Sequence, residues 1–304
     1  MHRFERRIPA EQIRRRAHEI GEIDRRALIE LMLGEMEGAK AMVEHEHTLP
    51  GSGEPLVTID GLTVPGSVEG VSLVLERGLI TGLAGQVGSG TSTILRALGG
   101  LVPGVSGTVT VRGRPVLLNT PRRAVDAGVL YVPNDRQREG LFLGQTVQRN
   151  LIVARLRRLS RLGVLLRRRA HRTARELAGM AGVPVERLGS PAGSLSGGNQ
   201  QKVLLGRALE LEGTALLALD EPTRGVDVGG RADIHDLVRA AARRGTAVIF
   251  SSTELDEVLD LADVVVTIFH GRIVSVVPRD EASASAILAD MTTSHATGTA
   301  AAAT

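Results

Sequence analysis

The chain has 304 residues, 42% of them apolar and 23% charged, with a net charge of +3, which is the composition of a folded domain with appendages and not of a disordered chain. Cysteine is absent, so disulfides, thiolate metal sites and cysteine nucleophiles are excluded. No apolar run reaches about 18 residues and the charged start MHRFERRIPAEQIRRR has no apolar stretch behind it, so neither a membrane span nor a secretory signal is expected, and a cytoplasmic protein is. Lys40 and Lys202 are the only lysines, and the aromatics are Phe4, Phe142, Phe250, Phe269 and Tyr131 alone. Stacking on nucleobases has little to work with, and the mild charge demands no nucleic-acid partner.

In chain order, residues 1–48 are charged and helix-favouring, with Ile20, Ile23, Ala27, Leu28, Met32 and Leu33 at helical spacing. A Pro/Gly/Ser linker occupies residues 48–55. Short β-branched runs then alternate with glycine turns: LVTIDGLTV, GVSLVLERG, LITGLAG, GTVTVRG and GVLYVP. From about residue 145 to Ala181 the texture reads as helical. Within it, residues 140–175 hold neither Asp nor Glu and are dense in arginine. A solvated helical face or a protein contact is the commoner reading of such a stretch, with nucleic acid or anionic lipid as alternatives. A strand over residues 215–219, a helix near 230–243 and strands TAVIFSS and DVVVTIFHG complete an α/β pattern with a largely parallel sheet. The end, TTSHATGTAAAAT, is low-complexity and reads as a disordered tail. Residues 27–32 (ALIELM) weakly match residues 286–291 (AILADM), either as closing helices of similar units or as unrelated amphipathic helices.

Three motifs carry chemistry. A strand (LITGLA) runs into Gly85-Gln-Val-Gly88-Ser89-Gly90-Thr91-Ser92-Thr93 and then a helix, the context of a phosphate loop whose lysine is replaced by Thr91. Its glycines let backbone N–H groups close around phosphates at a helix N-terminus, and Ser92 is the candidate Mg²⁺ ligand. An ordinary strand–helix turn would also account for the loop taken alone. A second apolar strand ends in Asp220 and Glu221, one suited to a Mg²⁺ water shell, the other to polarising an attacking water. Between them, LSGGNQQ opens a helix, where Ser196, Gly197 and Gly198 offer a hydroxyl and bare N–H groups to an anion, or Ser196 serves as a plain N-cap.

From about residue 56 to 291 the chain resembles an ABC ATPase domain, and YVPNDRQREGLFLGQTVQRN, LSGGNQQKV and DEPTRGVDVG look like the second half of tandem ATPase subunits of bacterial ribose, galactose and xylose importers. The resemblance implies a P-loop core with a mostly parallel sheet, an antiparallel β subdomain and an inserted helical subdomain at about 140–195. It implies an extension over residues 1–50 like the tail of a preceding ABC half, an ATPase domain over 51–291 and a tail over 292–304. It implies ATP and Mg²⁺, with phosphate contacts from Gly85, Gly88, Ser89, Gly90, Thr91, Ser92 and Thr93, metal contacts from Ser92 and Asp220, and catalytic positions at Glu221, Asn134 and Thr253. Ser196, Gly197, Gly198 and Gln200 of the signature would complete a partner's site, because such domains pair head to tail. Two permease subunits and, indirectly, a solute-binding protein are the further partners implied, at the cytoplasmic face of the membrane. Departures from the pattern are Thr91 for lysine, Asn134 for glutamine, Thr253 for histidine, and no aromatic between Phe4 and Tyr131 to stack on adenine. Arg96 is no ready substitute for the lysine, since five residues of helix turn it about 140° away. A weak site of its own is therefore expected, with a silent nucleotide-sensing module as the alternative.

Overall fold

The glycine-bounded apolar runs form the strands of two sheets in the computed structural model, which describes residues 53–208 and 213–292, all in the second of the two units into which the chain divides (residues 47–304). The extension expected before residue 50 and the tail expected after Thr292 lie outside the described residues, as does the first member of the internal match. In chain order, β1 (Pro55–Val64) and β2 (Val68–Glu76) form a hairpin, and β3 (Ile80–Ala84) leads into α1 (Thr91–Leu98). Then come β4 (Ser106–Val111), β5 (Arg114–Val116), α2 (Pro121–Asp126) and β6 (Val129–Val132). After β6 come α3 (Val147–Ile152), the single turn α4 (Leu156–Leu159), β7 (Ser160–Arg161), β8 (Val164–Leu165) and α5 (Arg167–Met180). The chain returns through α6 (Gly197–Ala208), β9 (Leu216–Asp220), α7 (Val228–Arg243), β10 (Ala247–Ser252), α8 (Leu255–Leu261), β11 (Val264–Phe269), β12 (Arg272–Pro278) and α9 (Ala284–Asp290), the last covering all but Met291 of the second member of the match.

The larger sheet has the order β12-β11-β3-β10-β9-β6, parallel throughout except for β12. The smaller is antiparallel, β2-β1-β4-β5. Burial follows from the period of two: Leu216 and Ala218 of β9 join the core shared with β1, β2 and α1, while Leu217 and Leu219 join the core under α5–α9. With both faces covered, every residue of β3, β9 and β10 is buried, which is why these strands are mostly apolar and do not alternate with charged residues. The helical reading of residues 145–181 needs one correction. A two-stranded hairpin, β7–β8, interrupts it, with Ser160 paired to Leu165 and Arg161 to Val164. The sheet also carries β12, a strand that the sequence reading ended short of, at Gly271.

Candidate functional site

The C-terminal ends of β3, β9 and β10 lie side by side, where α/β sheets of this kind gather ligand-binding loops. The loop after β3 is built on glycine. Gly88 has φ 85° and Gly90, the residue before α1, φ 105°. A side chain at Gly90 would stand 2.9 Å from the Ser67 carbonyl oxygen, and one at Gly85 2.3 Å from Ser89 Oγ. Gly85, Ser89 and Gly90 are buried and Gly88 is exposed, while Thr91, Ser92 and Thr93 are partly buried in the first turn of α1. Ser67 Oγ donates to Thr93 Oγ1 at 2.9 Å, and Gly271 N–H donates to the Ser89 carbonyl at 2.8 Å, fastening the loop to its neighbours. Among the described residues Ser89 Oγ finds no hydrogen-bond partner, although it is buried.

Ser92 and Asp220 are 128 positions apart, yet Ser92 Oγ donates to Asp220 Oδ1 at 2.7 Å. Ser251 Oγ donates to the same oxygen at 2.9 Å, and the Tyr131 hydroxyl donates to Oδ2 at 3.1 Å. Burial, then the Asp220 charge, pushes the Tyr131 phenol well above its usual range, so it stays a donor. The next residue, Glu221, has φ 50°, which turns its carboxylate back onto Thr253. The Thr253 N–H donates to Glu221 Oε1 at 2.8 Å and the Thr253 hydroxyl donates to Oε2 at 3.4 Å. Burial raises the Glu221 carboxyl above its ordinary value and those two bonds oppose the rise, with Glu257 and Asp220 adding to it.

Asn134 Oδ1 accepts from Arg224 Nη1 at 3.1 Å, and both line an open cleft of about 620 Å³ with Ser92, Arg96, Tyr131 and Asp220. Arg96 is held by Glu139 at 2.8 Å. Ser196 is exposed at the start of α6, its Oγ accepting from the Asn199 N–H at 3.4 Å as an N-cap would. None of Ser196, Gly197 and Gly198 lines the cleft. Gln200, read from the sequence as a ligand contact, is only 3% exposed. Its amide nitrogen donates to the carbonyls of Ala192 (3.4 Å) and Leu195 (3.3 Å), and its oxygen accepts from Arg136 Nε at 3.4 Å. It braces the start of α6 from inside.

Sequence reasoning missed Tyr131, Ser251 and Arg136, whose Nη1 reaches the Arg224 carbonyl at 2.7 Å. The one signal for Tyr131 was a lone tyrosine near the end of a strand. It missed Glu257 too, whose buried carboxylate accepts from the Thr223 hydroxyl at 2.7 Å and faces His235 Nε2 at 3.3 Å.

The residues fit a magnesium nucleotide. The outer part of the glycine loop, residues 86–88, is exposed, and the Ser92 hydroxyl and the Asp220 carboxylate stand together at its foot. Among the described residues no group of three or more His, Cys, Asp or Glu could hold a metal. A cation here would therefore take oxygens from Ser92, Asp220 and the phosphates themselves. Among the described residues no helix is long and apolar enough to cross a membrane.

A family model described as "ABC transporter" matches residues 68–224. "Ribose import ATP-binding protein RbsA 2" of Streptomyces coelicolor is 37% identical over 268 residues, covering 88% of this chain and 51% of that protein. A "Ribose import ATP-binding protein RbsA" of Caldanaerobacter subterraneus is 32% identical, covering 89% and 54%. The chain spans about half the length of the curated relatives it matches. Two solved structures share the fold. One is a nucleotide-free ATP-binding cassette from an ABC transporter (TM-score 0.62, 21% identity, 74% of this chain and 92% of that one). The other is the ADP conformation of such a cassette (TM-score 0.63, 21% identity, 78% and 95%).

Proposed function

Because this chain belongs to the ABC transporter family, we propose that it is an ATP-binding subunit of a sugar importer, peripheral on the cytoplasmic face of the membrane. The observation that carries the reading is the meeting of Ser92 and Asp220 at 2.7 Å beneath a glycine loop, with Glu221 next in sequence. In this reading Gly85, Gly88, Ser89, Gly90, Thr91 and Thr93 receive the phosphates, and Ser92 and Asp220 hold Mg²⁺, which when bound offsets phosphate charge. Glu221 takes the proton of an attacking water. Its raised pKa brings it nearer the range of an effective base, and the Thr253 N–H fixes the direction of its carboxylate. Asn134 stands at the cleft to orient that water. The relatives named for ribose import support a monosaccharide as cargo.

The chain works with a second ABC domain, two permease subunits and, through them, a solute-binding protein. Exposed Ser196 at one surface and Val87, 92% exposed in the glycine loop, support head-to-tail pairing. Its own site binds and turns over ATP weakly, because Thr91 supplies no charge to the phosphates and Thr253 has no imidazole. Those same residues, with Asn134, favour a second reading, a silent nucleotide-sensing module. Co-expression with two permease subunits and an intact ABC domain separates the two. An importer subunit fractionates with the membrane complex, and Ser196→Arg abolishes that complex's ATPase without unfolding the chain. A chain that stays out of the complex is not an importer subunit.

A further inference from the structure

The β7–β8 hairpin presents a side chain that the fold itself does not use. Leu162 and Gly163 form its two-residue turn, with φ 49° and 79°. Positive φ at both positions makes it a type I′ turn, which Asn-Gly or Asp-Gly supplies without strain. Leucine is strained there and gains no burial in return: it is 98% exposed, and Val164 beside it is 68% exposed. Just before the hairpin Leu159 is buried at 4%, and the Leu166 N–H donates to the Leu159 carbonyl at 2.9 Å, so the tip stands on an anchored base. The exposed residues Arg157, Arg161, Arg167, Arg168 and Arg169 lie within ten residues of it along the chain, in the stretch of residues 140–175 that holds neither Asp nor Glu.

We propose that this hairpin seats on an anionic phospholipid surface, with Leu162 and Val164 entering the boundary between headgroups and acyl chains and the arginines engaging the phosphates. A solvated face accounts for the arginines but leaves a strained, exposed leucine without a reason. Nucleic acid would take up the arginines and leave the aliphatic tip in water. A lipid layer accepts both parts, because guanidinium forks match phosphate oxygens in the polar zone and the apolar medium lies just beneath. The inference does not depend on which cargo, if any, the protein helps to import.

The test is flotation of the full chain with vesicles of phosphatidylcholine alone or mixed with phosphatidylglycerol. Binding is expected only to the anionic vesicles, and it weakens as salt is raised. Leu162→Asn suits the positive φ, so the variant unfolds at the same temperature or higher while its vesicle partitioning falls by about tenfold or more. Replacing Arg161, Arg167 and Arg168 with glutamine lowers partitioning by about fivefold per charge removed. Equal binding to both compositions, no binding to either, or wild-type partitioning by Leu162→Asn would overturn the proposal. So would a hairpin that ignores anionic vesicles but is shielded from hydrogen exchange by the permease subunits, which would assign the surface to a protein partner.

Discussion

Burial and a positive φ both act on Glu221, and only the first depends on charge. The folded chain favours its protonated form. That contribution to stability is fully present below the ordinary carboxylate range and is lost as pH rises through the raised value. Glu221→Gln therefore melts at a higher temperature than the wild type at neutral pH, and the difference fades toward pH ~4. Calorimetric scans across that range check the sign, and a glutamine variant that melts lower at neutral pH would refute the account. Thr91 poses a separate question. A lysine there adds a charged hydrogen bond to phosphate worth about 1.5–3 kcal/mol, so Thr91→Lys tightens Mg-ATP binding by about 10- to 100-fold. Hydrolysis recovers little, because Thr253 still lacks an imidazole. Equilibrium binding and turnover on the two proteins decide the matter, and brisk turnover by the wild-type chain alone counts against a weak site.

Four elements meet at Glu257. It lies on α8 and binds Thr223 after β9, Ser252 at the end of β10 and His235 of α7. Burial would push this carboxyl up, but the bonds from His235, Ser252 and Thr223 outweigh it and leave the value below the ordinary one. Its stabilising effect is therefore present above the ordinary carboxylate range and is lost as pH falls through the lowered value. Glu257→Ala leaves two hydroxyls and a partly buried imidazole without their acceptor and costs about 2–4 kcal/mol in urea unfolding. A change below ~1 kcal/mol would mean that the four elements do not rely on it. Contacts of this kind are the part that the sequence hides. The glycine loop, the Asp220–Glu221 pair and LSGGNQQ are legible because each is a local pattern with a local physical reason. Tyr131 on Asp220 and Arg136 on Arg224 join residues 89 and 88 positions apart, and no spacing rule announces them. The β7–β8 hairpin was hidden for another reason. Leu156, Leu159, Leu162, Leu165 and Leu166 in LRRLSRLGVLL fall at helical spacing, so the run reads as helix although Leu162-Gly163 turns the chain back. Gln200 stands inside LSGGNQQ, and no local pattern announces that its side chain is buried against the carbonyls of Ala192 and Leu195.

On the scale of the whole molecule, the cleft that gathers Ser92, Asp220, Asn134 and Arg224 takes nothing from Ser196, Gly197 or Gly198. A nucleotide in that cleft would therefore have its far side open to a second molecule. Alone, the chain is expected to sediment as a monomer or a weak homodimer, and to pair with a complete ABC domain when ATP is present. A tight homodimer without nucleotide, seen by sedimentation velocity, would contradict this. The inner strands β3, β9 and β10 would be unaffected, since every one of their residues is already buried within the chain.

The single tyrosine has an optical consequence. The chain has no tryptophan, so its intrinsic near-ultraviolet emission comes from Tyr131 alone, and that ring rests its hydroxyl on Asp220. A hydrogen bond to a carboxylate quenches phenol fluorescence, and a cation drawn to Asp220 would compete for the same oxygens. The protein thus carries one native, unlabelled lamp mounted on the carboxylate proposed to hold Mg²⁺. Adding Mg-ATP should change its brightness without any introduced dye, and Tyr131→Phe should leave the protein dark.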